Sequence, residues 1–335
     1  MLCMNRRPSI ALVGIAVLSS LTVTALAVAP DAPSQETADA PGRELFADPA
    51  FARGFVLTAA SHPAPKVELG VLRISNAPED ASPAWRMPQW ASRELLQPGG
   101  CADLGGGKWS AENRAKRVVV ERLADGRTGL RLEVRGDFEY DGHLRAEGEA
   151  WPHLLIEQRF EEPIVPKNCK TLSFSVEARI PFCKPAPWSE GKRSPGLHTA
   201  QVSAFWTVHN ATKGNPDCGD MIWFGIPIFD ARHEIPPAYY AVDAGKADAT
   251  GKFICMLDGK RFWNAPTGDG AWHKVETDLL PLLQEAVTLA RQHGYLKNTG
   301  YDDLSIDSFN LGWEMPGPYD AALEVRGLSL LGETK

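Results

Sequence analysis

The sequence predicts an all-β chain folded as an antiparallel β-sandwich, with one packed helix near residues 278–293. Three observations lead to this fold class. Many short segments alternate between apolar and polar residues, turn residues separate nearly all of them, and only one stretch has the spacing of an amphipathic helix. The clearest alternation runs from Thr199 to His209, where every even-numbered residue from Ala200 to Val208 is apolar. That is the period of a half-buried strand.

The first 27 residues have the features of an export signal. Arg6 and Arg7 supply positive charge, an apolar run follows from Ile10 to Val23, and residues 25–27 (Ala-Leu-Ala) match a cleavage site. A retained membrane anchor is the alternative, but Gly14 and several hydroxyl residues interrupt the run, which is short for a membrane span. We therefore expect a secreted, periplasmic or cell-envelope protein with no stable membrane insertion after cleavage.

Residues 28–42 are rich in proline, alanine, serine and acidic residues. They contain too few apolar residues to pack, so we expect a flexible linker. Residues 43–335 then make a single β-sandwich domain with long loops, although a segment of this length would also accommodate two domains.

The chain is acidic, with 35 basic and 42 acidic residues and a net charge of −7. Cleavage after residue 27 would remove two arginines and no acids, so that 33 basic residues face 42 acidic ones, a net charge of −9. This balance argues against nucleic acid or an anionic membrane as a partner. It leaves both neutral sugars and locally bound anionic sugars open.

Five of the six cysteines lie outside the predicted leader. Cys169 with Cys183, and Cys218 with Cys255, are candidate disulfides in an oxidising compartment, and at least one thiol stays unpaired if all pairing is internal. No CxxC or CxxH spacing occurs. A zinc site built on these cysteines is therefore not expected.

Strand signals follow one another along the predicted domain. One strand is predicted at 67–74, followed by a loop at 83–96 whose Trp85 and Trp90 are either platforms for a sugar ring or covers for the sandwich edge. A hairpin follows, with Val118–Val120 and Leu130–Val134 joined around Asp125-Gly126. Further strands are predicted at 153–160, 171–180, 199–209, 221–229, 251–256, 272–277, 309–314 and 322–331.

The strand predicted at 221–229 and the helix after it carry the strongest apolar patterns. The strand is nearly all apolar between Asp220 and Asp230, so we expect it to be buried on both faces. Leucine and alanine recur at helical spacing over 278–293, with Asp278 or Thr277 as the N-cap and Gly294 as the stop. We expect this helix to pack across one opening of the sandwich.

The C-terminal order of elements carries a resemblance. A W-x-K-V strand begins at Trp272, a helix follows, and residues 306–331, IDSFNLGWEMPGPYDAALEVRGLSLL, contain two closing strands. This order resembles the end of jelly-roll carbohydrate-binding modules and related polysaccharide-active β-sandwich proteins, in which a penultimate strand ends in a Gly-x-Glu turn and the last strand lies antiparallel to the first. The resemblance covers roughly the last seventy residues. It implies a jelly-roll sandwich that holds carbohydrate on a concave sheet face.

A sheet face that binds sugar should combine hydrogen-bonding groups with a few flat rings. Such residues share one side of strand 199–209, where Gln201, Ser203, Phe205 and His209 alternate with the apolar set. Asn310 and Glu314 share one side of the strand at 309–314. The predicted substrate-binding residues are Gln201, Trp223, Arg232, Tyr239 and Asn310. A solvated outer face is the alternative for each of them.

Cleavage of a polysaccharide would require further groups. Hydrolysis uses two carboxylates, and we assign Glu157 and Glu314 first because each lies in a largely apolar strand. Asp220 and Asp230 are the second pair, and a salt bridge to an arginine such as Arg232 is the ordinary alternative for either pair.

Eliminative cleavage of a uronic-acid polymer needs instead a histidine or tyrosine base and a group that neutralises the substrate carboxylate. His198 and His209 are the candidate bases. The residues around them, Gln201, Arg232, His233, Tyr239 and Tyr240, supply the other required types.

No cofactor or catalytic metal is predicted, and a structural Ca²⁺ near Asp217, Asp220 or Asp243 stays open. We predict an exported protein that binds a polysaccharide or oligosaccharide on its concave sheet face. The alternative is a glycoside hydrolase or polysaccharide lyase that uses the same face. A structural envelope protein without a ligand is a third hypothesis.

Overall fold

The computed structural model describes residues 42–60, 66–75, 77, 80–246 and 249–335. The predicted leader and nearly all of the predicted linker lie outside these ranges. Within them, neither helix is long and apolar enough to span a membrane.

The strands and helices of the described residues run in chain order as β1 (Arg43–Glu44), β2 (Phe55–Ala59), β3 (Val67–Arg73), β4 (Trp85–Pro88), β5 (Gly99–Gly100), β6 (Ala102–Gly105), β7 (Lys108–Glu112), β8 (Lys116–Arg122), β9 (Thr128–Arg135), α1 (Gly136–Tyr140), β10 (His153–Ile164), β11 (Cys169–Pro185), β12 (Gln201–Asn210), β13 (Met221–Asp230), β14 (Tyr239–Val242), β15 (Phe253–Met256), β16 (His273–Asp278), α2 (Leu279–Gln292), β17 (Leu304–Glu314) and β18 (Tyr319–Thr334).

These strands form two sheets that pack face to face. The eight-stranded sheet has the order β16-β11-β18-β9-β8-β7-β6, with β1 paired to β18, and the ten-stranded sheet has the order β14-β15-β13-β12-β17-β10-β4-β2-β3-β5. The first and last strands are antiparallel neighbours, with Arg43 opposite Gly332. The structure therefore confirms an all-β, predominantly antiparallel sandwich of jelly-roll type.

Three strand pairs are parallel and lie toward the two margins of the ten-stranded sheet. They are β13 with β15, β2 with β4, and β3 with β5. At one margin the chain leaves β13, forms β14 as the edge strand and turns back through β15, which therefore runs parallel to β13.

The core between the sheets is rich in aromatic side chains. Phe174 of β11 meets Trp206 of β12 edge-on at 4.8 Å between ring centroids, and Trp206 lies 5.1 Å from Phe309 of β17. Such pairs add about 0.5–1.5 kcal/mol each beyond the area that they bury. Trp85 is also fully buried. The sequence assigned it to a loop and to a sugar platform or a sandwich edge, but it lies in β4 and packs in the core.

Two close contacts of β17 fix its position, one across the core and one with the neighbouring strand β10. The indole Nε1–H of Trp313 donates to the carbonyl oxygen of Leu132 across the core, at 3.0 Å. Beside it, Gly312 has a φ of +148°, and a Cβ there would lie only 2.4 Å from the carbonyl oxygen of Leu154. No other residue fits that position without moving β10.

Helix α2 forms as the sequence predicts. Its apolar positions, Leu279, Leu282, Leu283, Ala286, Val287 and Ala290, are all buried. Asp278 caps the helix by accepting from the backbone N–H of Leu280 at 3.1 Å, and Gly294 follows with a left-handed φ of +87°. The helix packs against β11, β13 and β15.

The candidate disulfides are not formed, because the described cysteines are all free thiols. Cys169 and Cys183 lie on the same strand, β11. Fourteen residues of extended strand separate their Cα atoms by about 46 Å, against the roughly 6 Å that a disulfide needs. Cys218 is exposed, whereas Cys255 is buried in β15.

Candidate functional site

A cleft of about 630 Å³ lies on the face of the ten-stranded sheet that points away from the core. Strand register places side chains in rows across its floor. One row begins at Glu157, in a small pocket beside the cleft, and continues across the floor through Asn310, Phe205, Gly225, Met256 and Tyr239. A parallel row runs through His153, Glu314, Gln201 and Asp230. The first row combines polar residues with apolar and aromatic ones, and the second row is polar throughout.

The alternation of each strand explains why these residues share a face. On β12 the residues from Gln201 onward point alternately to the cleft and to the core, so that Phe205 lines the cleft while Trp206 is fully buried. On β13, Trp223 lines the cleft and is only half-buried, which differs from the expected burial on both faces. Near the start of β13 only the residues that face the core are buried, and from Gly225 to Asp230 the residues on both faces are buried.

Glu314 is a carboxylate at the end of β17 with three nearby donors or cations. Its Oε2 accepts from Trp151 Nε1 at 3.1 Å and lies 3.5 Å from His153 Nε2. Burial by itself would raise the pKa of Glu314, but the hydrogen bond and charge of His153, together with Lys246 and Trp151, lower it to about 2. Glu314 is therefore ionised near neutral pH.

His153 lies between two tryptophan rings. Trp90 meets it edge-on at 5.4 Å, and Trp151 stacks on it at 6.1 Å between ring centroids. Its Nε2 is directed at Glu314, whereas its Nδ1 is buried and has no hydrogen-bond partner among the described residues. Trp90 Nε1 is also buried and has no hydrogen-bond partner among the described residues. A buried polar atom without a partner costs about 1–3 kcal/mol, so both atoms favour the entry of a polar group between these rings.

Asp230 ends β13 on the opposite side of the cleft floor and is held by two residues. Arg232 donates to its carboxylate through Nε and Nη2, with Nη2 2.6 Å from Oδ2, and Thr199 Oγ1 donates at 2.8 Å. Burial would raise the pKa of Asp230, but the bonds from Arg232 and Thr199 lower it below its ordinary value. Asp230 is thus a second ionised carboxylate that orients Arg232.

The wall above β13 and β15 is both aromatic and polar. Trp223 Nε1 donates to Thr250 Oγ1 at 3.1 Å, and Thr250 donates in turn to Asp243 at 2.7 Å. Phe205 meets Trp223 edge-on at 6.1 Å. Tyr239 projects from the edge strand with 57% of its surface exposed. These rings supply flat surfaces that solvent can reach.

The structure brings together six of the nine site residues predicted from the sequence. Those that line the cleft are Gln201, Trp223, Arg232, Tyr239, Asn310 and Glu314. Trp90 also lines it, which favours the platform interpretation for this tryptophan.

Glu157 and the two candidate histidines lie elsewhere. His198 is buried, with Nδ1 accepting from the backbone N–H of Ser194 at 2.8 Å and Nε2 donating to the carbonyl of Arg145 at 2.9 Å. Both ring nitrogens of His198 are thus engaged by backbone groups, and His198 does not line the cleft. His209 lies beyond the cleft at the end of β12, 3.7 Å from Asp307. Glu157 lines a small adjoining pocket and pairs with Arg86 at 3.8 Å.

The carboxylate pairs predicted for hydrolysis do not meet. Glu314 lies opposite His153, four residues along β10 from Glu157. The two glutamates are therefore about 14 Å apart at their Cα atoms. Glycosidases use separations of about 5.5 Å or about 6.5–9.5 Å. Asp220 immediately precedes β13 and Asp230 ends it, so that the two lie about 33 Å apart, and Asp220 pairs with Lys252 at 2.7 Å.

The acids considered for calcium are engaged by protein donors. Asp217 accepts from Asn298 and Thr299, and Asp243 accepts from Thr250. Within the described ranges, no cluster of three or more histidine, cysteine, aspartate or glutamate residues could hold a metal ion. The calcium ion stays a prediction that these contacts do not test.

Several cleft residues were not identified from the sequence. They are Lys66, Arg145, Trp151, His153 and Lys246. His153 had a usable signal, since it shares the alternation of Leu155 and Glu157 on the strand predicted at 153–160. The others come from loops that carry no periodic pattern.

Neither a protein-family model nor a curated protein matches the chain. The fold is similar to the endoglucanase Cel12A from Rhodothermus marinus (10% identity, TM-score 0.34, 69% of this chain and 94% of that chain covered) and to a family 12 xyloglucanase from Bacillus licheniformis (9%, 0.36, 69% and 95%). It is also similar to endoglucanase 3 of Trichoderma harzianum (7%, 0.35, 76% and 100%). At these identities and TM-scores the similarity identifies neither a family nor an activity.

Proposed function

We propose that the cleft binds a polysaccharide chain that lies across the strands of the ten-stranded sheet. The observation that carries this proposal is the row from Asn310 to Tyr239 on the cleft floor, which crosses five strands. At about 4.8 Å per strand the row is about 19 Å long, which suits several consecutive sugar rings. The cleft volume also lies within the range of ordinary ligand sites.

The side chains of the cleft match the two surfaces of a sugar. Trp223, Phe205 and Tyr239 offer aromatic surface to the C–H faces of a ring. Gln201 and Asn310, on neighbouring strands of the floor, offer amide donors and acceptors to hydroxyl groups. A surface that only contacts solvent does not require aromatic rings and amide groups on the same face.

The test is retention of the purified protein on a panel of neutral and uronic-acid polysaccharides, measured by affinity electrophoresis and calorimetry. Trp223→Ala should weaken binding about tenfold or more, because a ring at a binding surface contributes about 1–3 kcal/mol. Trp272→Ala is the matched control, since Trp272 is also half-buried but lies against Arg179 and Arg326 of the eight-stranded sheet. Failure of every polymer to bind, or equal losses in both variants, would contradict the proposal.

A second candidate function is cleavage of the bound chain, and the contact between His153 and Glu314 favours it. An ionised carboxylate that orients a histidine is a recurring arrangement for a general base. Hydrolysis is less well supported, because Glu314 and Asp230 both have lowered pKa values and neither would donate a proton near neutral pH. Elimination from a uronic-acid polymer needs a base and no carboxylic acid donor, so it suits this cleft better.

New reducing ends and unsaturated products, followed in the same panel, decide between binding and cleavage. If products form, Glu314→Gln should lower kcat by about a hundredfold or more while leaving polymer affinity nearly unchanged. Glu276→Gln is the control, because Glu276 is an exposed glutamate of the eight-stranded sheet that pairs with Lys274. Full turnover in the Glu314→Gln protein would remove this residue from the reaction. Retention without products would leave binding as the function.

A further inference from the structure

Three cations lie over the two tryptophans at one end of the cleft. Lys66 Nζ is 4.6 Å from the centroid of the Trp90 ring, and Lys246 Nζ is 4.2 Å from that of Trp151. The guanidinium carbon of Arg145 is 5.0 Å from the Trp151 centroid. His153 lies between the two rings. Positive charge is thus concentrated around the Trp90–His153–Trp151 stack, which we call the cationic end of the cleft.

Arg145 is the most constrained of these cations. The residue is only 8% exposed, and its N–H groups donate to the carbonyl oxygens of Pro316, Glu149 and Leu197 at 3.1, 3.1 and 2.6 Å. Within the described ranges no carboxylate lies within 4 Å of its guanidinium. Carbonyl groups satisfy its hydrogen bonds but do not neutralise its charge. A buried cation without a counter-ion is costly, so an anion from outside the chain would be favourable there.

The charge of the cleft lining contrasts with the charge of the whole protein. The chain has a net charge of −7. The described lining, however, contains four lysine and arginine residues against three acids: Lys66, Arg145, Arg232 and Lys246 against Asp230, Asp243 and Glu314. Asp230 pairs with Arg232, Asp243 pairs with Lys246 at 3.8 Å and accepts from Thr250, and Glu314 lies 3.5 Å from His153. In the described ranges Lys66, like Arg145, has no carboxylate within 4 Å.

A buried nitrogen atom of the stack points to the same chemistry. Trp90 Nε1 can only donate a hydrogen bond, and it has no acceptor among the described residues. Lys66 Nζ lies 4.6 Å from the centroid of the same ring. An acceptor oxygen that entered beside Trp90 would therefore satisfy its Nε1–H close to the ammonium group of Lys66.

From these contacts we infer that the cationic end of the cleft is a subsite for the anionic group of an acidic sugar residue, a uronate carboxylate or a sulfate ester. The tryptophans would pack on the sugar ring, and Lys66 and Arg145 would face its charged group. The inference rests on the proposed function, since it names the class of polysaccharide that the cleft binds. The anionic subsite gives a role to Lys66 and Arg145, whose charges are not required for binding neutral hydroxyl groups.

The test compares three forms of one polymer with the wild-type protein: a polyuronate, its carboxyl-reduced neutral form, and a sulfated derivative of the neutral form. Calorimetry at low and at physiological ionic strength gives each affinity. We expect the polyuronate, the sulfated form or both to bind at least tenfold more tightly than the neutral form at low salt, and this preference should shrink as salt is added. The anionic derivative with the greater affinity identifies which group the subsite takes.

Lys66→Met is the discriminating variant, because Lys66 is exposed and its loss should not affect folding. It should weaken binding of the preferred anionic polymer about two- to fivefold and leave binding of the neutral form unchanged. Lys274→Met is the matched control, on an exposed lysine of the eight-stranded sheet. Equal affinity for the neutral and anionic forms, with no effect of Lys66→Met, would overturn the anionic subsite and leave the proposed function standing. Failure of all three forms and of the wider panel to bind would overturn the proposed function itself.

Discussion

Replacing Glu314 by glutamine should change how the stability of the protein depends on pH. Glutamine keeps the size of the side chain and an acceptor for Trp151, but it cannot carry the charge that His153 and Lys246 stabilise. The pKa of Glu314 falls from an ordinary value of 4.5 to about 2 in the folded protein. This difference corresponds to about 3 kcal/mol of folding free energy.

The sign follows from the folded pKa being the lower one. Above pH 4.5 the carboxylate is ionised in both states and its stabilisation is complete. As the pH falls from 4.5 towards 2, the unfolded chain takes up a proton that the folded chain does not, so the stabilisation is progressively lost. The difference in free energy of unfolding between the wild type and Glu314→Gln should therefore be about 3 kcal/mol larger, in favour of the wild type, at pH 7 than at pH 2.

Urea denaturation followed by tryptophan fluorescence, at several pH values between 2.5 and 7, measures this difference. Glu276→Gln is the control, since this glutamate is 60% exposed. We expect its difference from the wild type to stay within a few tenths of a kcal/mol at every pH, as for most surface substitutions. A difference between wild type and Glu314→Gln that is constant over the range, or that grows on acidification, would refute the assignment of Glu314 as a stabilised anion.

Two further predictions concern packing and the cleft floor. Lys116 and Glu139 form an ion pair with both side chains fully buried. Glu139→Gln should therefore lower the free energy of unfolding, measured by urea denaturation, by about 3–5 kcal/mol, and the double variant Lys116→Met with Glu139→Leu should recover most of this loss. An equal loss in both proteins would contradict the unpaired lysine as its cause. A Cβ at Gly225 would lie 2.6 Å from the Phe205 ring and 2.8 Å from the sulfur of Met256. Gly225→Ala should therefore push one of these side chains into the cleft, which should lower polymer affinity about tenfold and change Tm by only a few degrees. Unchanged affinity would show that the cleft floor tolerates the shift.

Local periodicity allowed much of the sandwich to be predicted. The alternation over 199–209 reappears as β12, and the spacing of Leu279 to Ala290 reappears as α2, because each pattern reflects burial of one side of a regular element. The strand β4 was missed because Arg86 and Pro88 interrupt its apolar pattern. It forms because β2 offers it a parallel partner, which is a long-range contact.

The same limit separates the site residues that could be predicted from those that could not. Gln201 and Asn310 lie on strands, so that their direction follows from alternation. His198 lies before β12, and its ring is fixed by the backbone of Ser194 and Arg145. His153, by contrast, begins β10 and shares the alternation of Leu155 and Glu157, and it lines the cleft.

The cationic end could not be predicted at all from sequence. Lys66, Arg145 and Lys246 come from segments that are far apart along the chain and have no periodic pattern. Only the packing of Trp90 and Trp151 over the sheet brings the three cations together.

The alternation of β12 also has a consequence for how this protein can change. Gln201, Ser203 and Phe205 face the cleft, while Val202 and Ala204 between them are fully buried in the core. Substitutions at the odd-numbered positions can therefore alter which ligand is held without touching the residues on which folding depends. A combinatorial library limited to those positions should yield mostly folded proteins, and natural drift would meet the same division. Along β12, positions that can vary with the ligand thus alternate with positions that are constrained by the core.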